Sequence, residues 1–356
     1  MIADDAGLAE LLDHLQSATH IALDTEADSL HCYFEKLCLI QVSAAGGHWL
    51  VDPLAKIQLQ PLFDLVCSRR LVFHGADYDM RLLRRVGTFE PTNLFDTMIA
   101  ARLIGRNALG LAALVEQFFG VQLSKASQKA NWAIRPLPAQ MVEYALNDTR
   151  YLLEIAQTLE ADLHQLGRYA WFEESRDRML AATRDTKERD ESTCWRITGS
   201  SVLSPRAQAI LRILWFWRDA ESRAWDRPPF HVLGNQDMLA VADQASRGGS
   251  YPLPRMTGSR RKSLEVVLAL ALQIPEAEWP YIEKIRRKRP PKDHLVHFEA
   301  LKKIRDAAAL ELGLDPSIIA PRGALEAVAA DALSPALMSW QRKLLGLQAL
   351  DSQKAA

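Results

Sequence analysis

Every strand-like run in this 356-residue chain lies before residue 77. Four apolar runs carry that signal: Ile21–Asp24, "LCLIQVS" (37–43), "HWLVD" (48–52) and "RLVFHGA" (70–76). The "AAGG" between the second and third is hairpin chemistry. A helix over 8–15 precedes them, and a short amphipathic segment separates the third from the fourth. From Tyr78 onward the apolar period becomes helical, over 78–86, 95–104, 110–119 and about 139–166. Hairpin strands, then a strand–helix unit, then helices describe an α/β fold with a mixed sheet flanked by helices. That domain is expected to end near residue 167.

The rest of the chain reads as helical. A connector over 169–184 and a polar stretch, "RDTKERDESTCW" (184–195), lead to helices at 209–225, 235–245 and 258–274. The loop "DRPPFHVLG" (226–234) must break the first of these, because Pro228 and Pro229 cannot sit in a helix interior. Residues 294–330 repeat the order of long helix, Pro-containing loop and short helix. Both copies place an Arg-Asp pair late in the long helix, Arg218-Asp219 and Arg305-Asp306. Two diverged copies of one helical module are therefore expected.

Net charge is −1, so the whole molecule does not advertise a polyanionic partner. The charge is uneven, however. "RRKRPPK" (Arg286 to Lys292) concentrates cations in a run suited either to a solvated linker or to phosphate contact. No apolar run reaches the length of a membrane span, and the N-terminus lacks the profile of a signal peptide. Cys32, Cys38, Cys67 and Cys194 are scattered without a C-x-x-C, which suits reduced thiols in a cytoplasmic protein. No glycine-rich phosphate loop follows a strand, which excludes the common nucleotide-cofactor folds.

Three patterns put acids where a plain core would reject them. Asp24 and Glu26 end the first strand, on one face and about 7 Å apart at Cα. "FHGADYD" (73–79) offers Asp77 and Asp79 where a strand becomes a helix. Tyr144 and Asp148 are four apart, hence neighbours on one helical face. Taken singly each has a plain alternative: Asp28 and Asp77 suit turns or helix caps, and a Tyr/Asp pair suits a surface. Taken together, four converging carboxylates would repel unless divalent cations neutralised them. Oxygen-rich carboxylate sites select Mg²⁺ or Mn²⁺, and a pair of such ions suits phosphoryl transfer.

The order D-x-E, then His74 to Asp79, then Tyr144 to Asp148 resembles the DEDD exonucleases of the Tyr subclass. The wider text resembles the ribonuclease D family among them: "LDTEADSLHCYFEKLCLIQVS", "FHGADYDMRLL", "NLFDTMIAARLIG" and "QKANWAIRPLPAQMVEYALNDTRYLL". The paired helical modules resemble HRDC domains. The resemblance implies a ribonuclease-H-like 3′-5′ exonuclease domain (1–167), a helical connector (168–203), an HRDC domain (204–284), a basic linker (285–293) and a second, diverged HRDC-like domain (294–356). It implies that Asp24, Glu26, Asp79 and Asp148 hold two divalent metal ions, Mg²⁺ or Mn²⁺. Tyr144 would orient the water that attacks the terminal phosphodiester, releasing 5′-mononucleotides from RNA 3′ ends. The substrates implied are tRNA precursors and other structured RNAs with 3′ extensions, handled in the cytoplasm by a monomer away from membranes.

Substrate contacts are expected from Trp132 and Arg135 beside the site, and from His31, Tyr33 and Phe34 in the loop after the first strand. Arg286, Arg287, Lys288 and Arg289 would meet the RNA backbone. Trp132 has a second reading as core packing. His74 and Gln41 read as structural, and "LWFWRD" (214–219) reads as module core. A DNA 3′-5′ exonuclease would use the same five residues, since the chemistry does not need the 2′-OH. A non-catalytic nucleic-acid-binding scaffold is opposed by the completeness of the acid set.

Overall fold

The computed structural model describes residues 1–184, 189–249, 256–280 and 291–348. Two compact units form, one from Met1–Ala27, Leu37–Asp185 and Arg287–Ala356, the other from Asp28–Lys36 and Thr186–Arg286. The basic run Arg286, Arg287, Lys288 and Arg289 lies outside the described residues.

In the first unit, α1 (Asp5–Leu15) precedes the hairpin strands β1 (His20–Ala27), β2 (Leu37–Ala44) and β3 (Gly47–Val51). Then come α2 (Gln60–Cys67), β4 (Arg70–Phe73), α3 (Asp77–Val86), β5 (Asn93–Asp96) and α4 (Thr97–Leu103). Helices α5 (Leu111–Phe119), α6 (Ala139–Arg150), α7 (Leu152–Gln165) and α8 (Tyr169–Ala182) follow. The sheet order is β3-β2-β1-β4-β5; β1 pairs antiparallel with β2 and parallel with β4, so the sheet is mixed, as expected.

Two details differ from the helical reading of the sequence. The run expected as a helix over 95–104 is a strand and a helix, β5 and α4, joined at Asp96. Asp96 is the N-cap of α4 and accepts from the N–H groups of Met98 (2.8 Å) and Ile99 (3.1 Å), so the strand can pass into the helix without a loop. The long helix expected over 139–166 is divided at Tyr151, which caps both α6 and α7.

Strand alternation decides which helices meet which face. Ile21 and Leu23 of β1 join α1, α2 and α3 in one core. Ala22 faces the other way, toward α4, α5 and α7. Asp24 and Glu26 share the parity of Ala22. They pair across the sheet with Gln41 and Leu39, and Leu39 packs with Met141 and Ala145 of α6.

The second unit holds α9 (Pro205–Trp225), α10 (Pro229–Val232), α11 (Asn235–Ser246) and α12 (Gly258–Ala271). Trp215 and Trp217 are buried in its core, as the sequence suggested. The first unit ends with α13 (Lys292–Leu312), α14 (Pro316–Ile319), α15 (Arg322–Ala330) and α16 (Ser339–Leu344). These helices pack beside α8: Trp171 and Trp340 stack at 4.7 Å, and Arg168 donates to the carbonyls of Leu103 and Leu312.

The two modules are built alike. Both open on a 21-residue helix whose C-cap is left-handed, Asp226 in one and Gly313 in the other. Both continue with a four-residue helix that starts on proline. Arg218 donates to the Leu233 carbonyl and Arg305 to the Ala320 carbonyl, each 15 residues ahead. The repeated Arg thus ties each long helix to the chain beyond its short one. Among the described residues, no helix is long and apolar enough to cross a membrane, and all four cysteines are free.

Candidate active site

Helix α6 buries Met141, Ala145 and Thr149, a stripe at four-residue spacing. Thr149 is fixed to the sheet by a 2.7 Å bond between its hydroxyl and that of Ser43, on β2. That anchor turns the flank of the stripe, Tyr144 and Asp148, toward the end of β1. Carboxylate oxygens of Asp24, Glu26 and Asp148 then lie within 4.8 Å of one another, and all three residues are partly accessible.

No Lys or Arg forms an ion pair with these acids among the described residues. At that spacing each pair of ionised carboxylates repels by about 3 kcal/mol with an effective dielectric of about 20. Three such pairs approach the whole stability of a domain, so protons or cations must compensate them. The titration behaviour follows. Burial first, then Asp79, Asp148 and Glu26, raise Asp24 well above the ordinary carboxylate range. Burial with Asp148 and Asp79 lifts Glu26 to about 9, and burial with Asp79 lifts Asp148 to about 7. Tyr144 is raised too, by burial and by Asp148, Glu26 and Asp24, so at neutral pH it is a phenol that donates a hydrogen bond.

Asp79 stands apart from the group of three. It comes from α3, which packs on the Leu23 face of the sheet. Its carboxylate accepts from the hydroxyl of Thr25, whose parity puts it on that same face. Burial raises Asp79 to about 7 although the Thr25 bond works the other way. Asp24 and Glu26 thus approach from one side of β1 and Asp79 from the other.

Asp96, absent from the sequence candidates, organises the start of α3. Only 1% exposed, it accepts from Gly75 and Ala76 (3.1 and 2.8 Å) as well as from Met98 and Ile99. One carboxylate thereby caps α4 and pins the turn that launches the helix carrying Asp79. Gly75 has φ +78°, and a Cβ there would meet Met98 at 3.0 Å, so the turn requires glycine. The sequence signal for Asp96 was an Asp directly before an apolar helical run, the usual N-cap pattern.

The other expected residues are distributed as follows. Trp132 is 1% exposed and its ring lies 5.9 Å from that of Tyr144, so it packs behind the tyrosine and its core alternative is the one realised. Arg135 uses all five N–H donors internally: two on buried Asp52 at 2.6 Å, and the rest on the carbonyls of Trp132, Ile134 and Cys38. It is a brace for the segment before α6. Gln41 is buried and donates to Asp24 at 3.4 Å, and His74 bonds to the Thr97 hydroxyl at 2.9 Å. Asp77 is exposed on the first turn of α3. Asp28 is 2% exposed and bound to Lys36 through both its backbone N–H and its ammonium, each at 2.8 Å.

His31, Tyr33 and Phe34 belong to the second unit. Asp226 accepts from the N–H groups of Tyr33 (3.0 Å) and Phe34 (3.1 Å), Asp219 accepts from the Tyr33 hydroxyl, and Arg227 donates to the His31 carbonyl.

Comparison with known proteins bears on the whole chain. Residues 1–164 match the 3′-5′ exonuclease family. The chain is 30% identical to ribonuclease D of Xanthomonas oryzae, covering 98% of this chain and 97% of that one. It is 28% identical to ribonuclease D of Pseudomonas paraeruginosa, covering 100% and 97%. The crystal structure of Escherichia coli RNase D superposes with a TM-score of 0.69 at 25% identity, covering 99% of this chain and 93% of that one. The acids gathered at the end of the central strand and these full-length matches lead to one assignment: the chain belongs to the ribonuclease D family and is a 3′→5′ exoribonuclease.

Proposed function

We propose that the chain trims 3′ extensions from structured RNAs, tRNA precursors among them, one 5′-mononucleotide at a time, using a pair of divalent ions held by Asp24, Glu26, Asp79 and Asp148. The observation that carries this reading is the grouping of Asp24, Glu26 and Asp148 oxygens within 4.8 Å, with no Lys or Arg ion-paired to them among the described residues. An all-oxygen carboxylate set fits Mg²⁺ or Mn²⁺. When bound, such ions supply charge neutralisation at the scissile phosphate and lower the pKa of water.

The protein's own contribution is geometric. Asp24 and Glu26 stand on one strand face, Asp148 is brought to them by α6, and Asp79 is held by Thr25. Tyr144, protonated and backed by Trp132, orients the attacking water by hydrogen bonding rather than by removing its proton. Similarity to Escherichia coli RNase D, described as an exoribonuclease involved in structured RNA processing, supports the substrate class. The two alike helical modules support their assignment as HRDC domains, which with the basic run 286–289 would grip the body of the RNA while a monomer works on its 3′ end.

The test is product analysis on a 3′-extended tRNA with Mg²⁺ or Mn²⁺. Stepwise release of 5′-mononucleotides is expected, falling at least about a hundredfold in Asp24→Ala and Asp148→Ala. Full activity in either variant, or release of oligonucleotides, would overturn the reading.

A further inference from the structure

In the second unit, aromatic rings and guanidinium groups gather in a strip around the C-terminal end of α9, where Arg227 donates to the His31 carbonyl and lies beside the Trp225 ring. It begins in the loop 28–36. Phe34 is 55% exposed and meets Tyr33 edge-on, with centroids 5.0 Å apart. The Arg223 guanidinium lies 5.5 Å from the Tyr33 ring. Arg227 is 6.0 Å from the ring of Trp225, which is 46% exposed, and Arg260 lies 4.1 Å from the centre of the same ring.

The acids nearby are spent on building this surface. Asp226 holds the Tyr33 and Phe34 backbone, Asp219 takes Arg189 (3.0 Å) and the Tyr33 hydroxyl, and Glu221 takes Arg260 (3.4 Å) and Ser263 (3.1 Å). Arg223 and Arg227 form no ion pair among the described residues. Asp226 does its work at φ +47°, a left-handed conformation that a Cβ disfavours. The equivalent C-cap of the other module is Gly313, which adopts φ +63° without that hindrance. The fold therefore tolerates strain in this module to present the loop.

We propose that this strip binds single-stranded RNA, with bases stacking on Phe34 and Trp225 and phosphates meeting Arg223 and Arg227. Exposed rings accept any base face, and guanidinium forks match phosphate oxygens. A protein partner would be met by an apolar patch, whereas here the exposed Trp225 ring has two guanidinium groups against it and the Tyr33 ring beside Phe34 has a third. The proposal rests on the exoribonuclease reading above and names a substrate surface built from the loop that follows the acidic strand and the C-terminal end of α9.

The full-length chain is compared with Trp225→Ala and with Arg223→Ala/Arg227→Ala on two substrates. One is an oligoribonucleotide of about four nucleotides, the other a long RNA with a single-stranded 3′ extension. For the long RNA, KM is expected to rise about tenfold in Trp225→Ala with kcat at saturation retained, and Trp225→Phe should recover most of the loss. The double Arg variant should lower the slope of log Kd against log salt by about 1.4, for two phosphates on a single strand. Unchanged KM and unchanged salt slope in all variants would overturn the proposal and leave the strip to a protein partner. Equal losses on both substrates would also overturn it, by showing a structural effect. Failure of the unmutated chain to degrade either RNA would strike the enzymatic reading itself, and is seen before any variant is compared.

Discussion

The hydroxyl of Thr25 donates to the carboxylate of Asp79, joining the central residue of the D-x-E strand to the first turn of α3. The strand that carries two of the acids thereby holds a third, on a helix packed against its other face, near its own end. Thr25→Val removes the donor at nearly constant shape. A hydrogen bond to a charged group contributes roughly 1.5–3 kcal/mol, so kcat on RNA is expected to fall between about tenfold and a hundredfold, with Thr25→Ser close to the parent. Steady-state kinetics of the two variants decide it; equal kcat in Thr25→Val would show that Asp79 needs no such hold.

Metal-free protein should lose stability as pH rises, opposite to the usual carboxylate trend. Glu26, Asp79 and Asp148 are raised to about 9, 7 and 7, above their unfolded values. Between about pH 4 and pH 9 the folded state therefore binds more protons than the unfolded one, and stability falls with pH. In chelator, Tm should drop across that window, and Glu26→Gln should flatten the drop. Added Mn²⁺ should raise Tm more at pH 8 than at pH 6, because it displaces fewer protons there. A chelated Tm that rises through the window and ignores Glu26→Gln would contradict the electrostatics described here.

Asp96→Ala strands four backbone N–H groups at once. The loss of two helix-start attachments is expected to cost about 2–4 kcal/mol. Because one of them sets the start of α3, kcat should fall further than Tm explains. Asp96→Asn, which keeps an acceptor oxygen, should recover part of both, as measured by thermal unfolding alongside turnover at a temperature where every variant is folded.

Arg135→Ala leaves Asp52, 4% exposed, as a buried unpaired carboxylate. The expected cost is about 3–5 kcal/mol of stability. Lys should rescue poorly, since it cannot reproduce a fork with five committed donors. Denaturant unfolding measures the loss; a stable Arg135→Ala chain with raised KM for RNA would return Arg135 to the substrate contacts.

Asp28→Ala should separate stability from chemistry. The residue is locked to Lys36 and is not one of the grouped acids, so Tm is expected to fall while turnover at low temperature stays within about twofold of the parent. Loss of turnover in a fully folded variant would place Asp28 in the site.

Much of the site was legible because its chemistry is local in sequence. A strand parity set Asp24 beside Glu26, and a four-residue helical step set Tyr144 beside Asp148. The repeated Arg-Asp pairs pointed to two alike modules, and Arg218 and Arg305 make matching bonds. What the sequence hid depends on distance or shortness. β5 has only four residues and runs straight into α4, so its period merged with the helix. Trp132 and Arg135 looked like substrate contacts because nothing local reveals that Asp52 consumes the arginine. The partner of Tyr33, Asp226, lies 193 residues away, beyond any periodicity.

The capture of residues 28–36 by α9 bears on how this enzyme can be taken apart. A fragment ending before Thr186 retains every carboxylate of the site, yet deprives the connection between β1 and β2 of Asp219, Asp226 and Arg227. The loop that leaves the acidic strand finds its hydrogen-bond partners in a sequence segment nearly two hundred residues downstream.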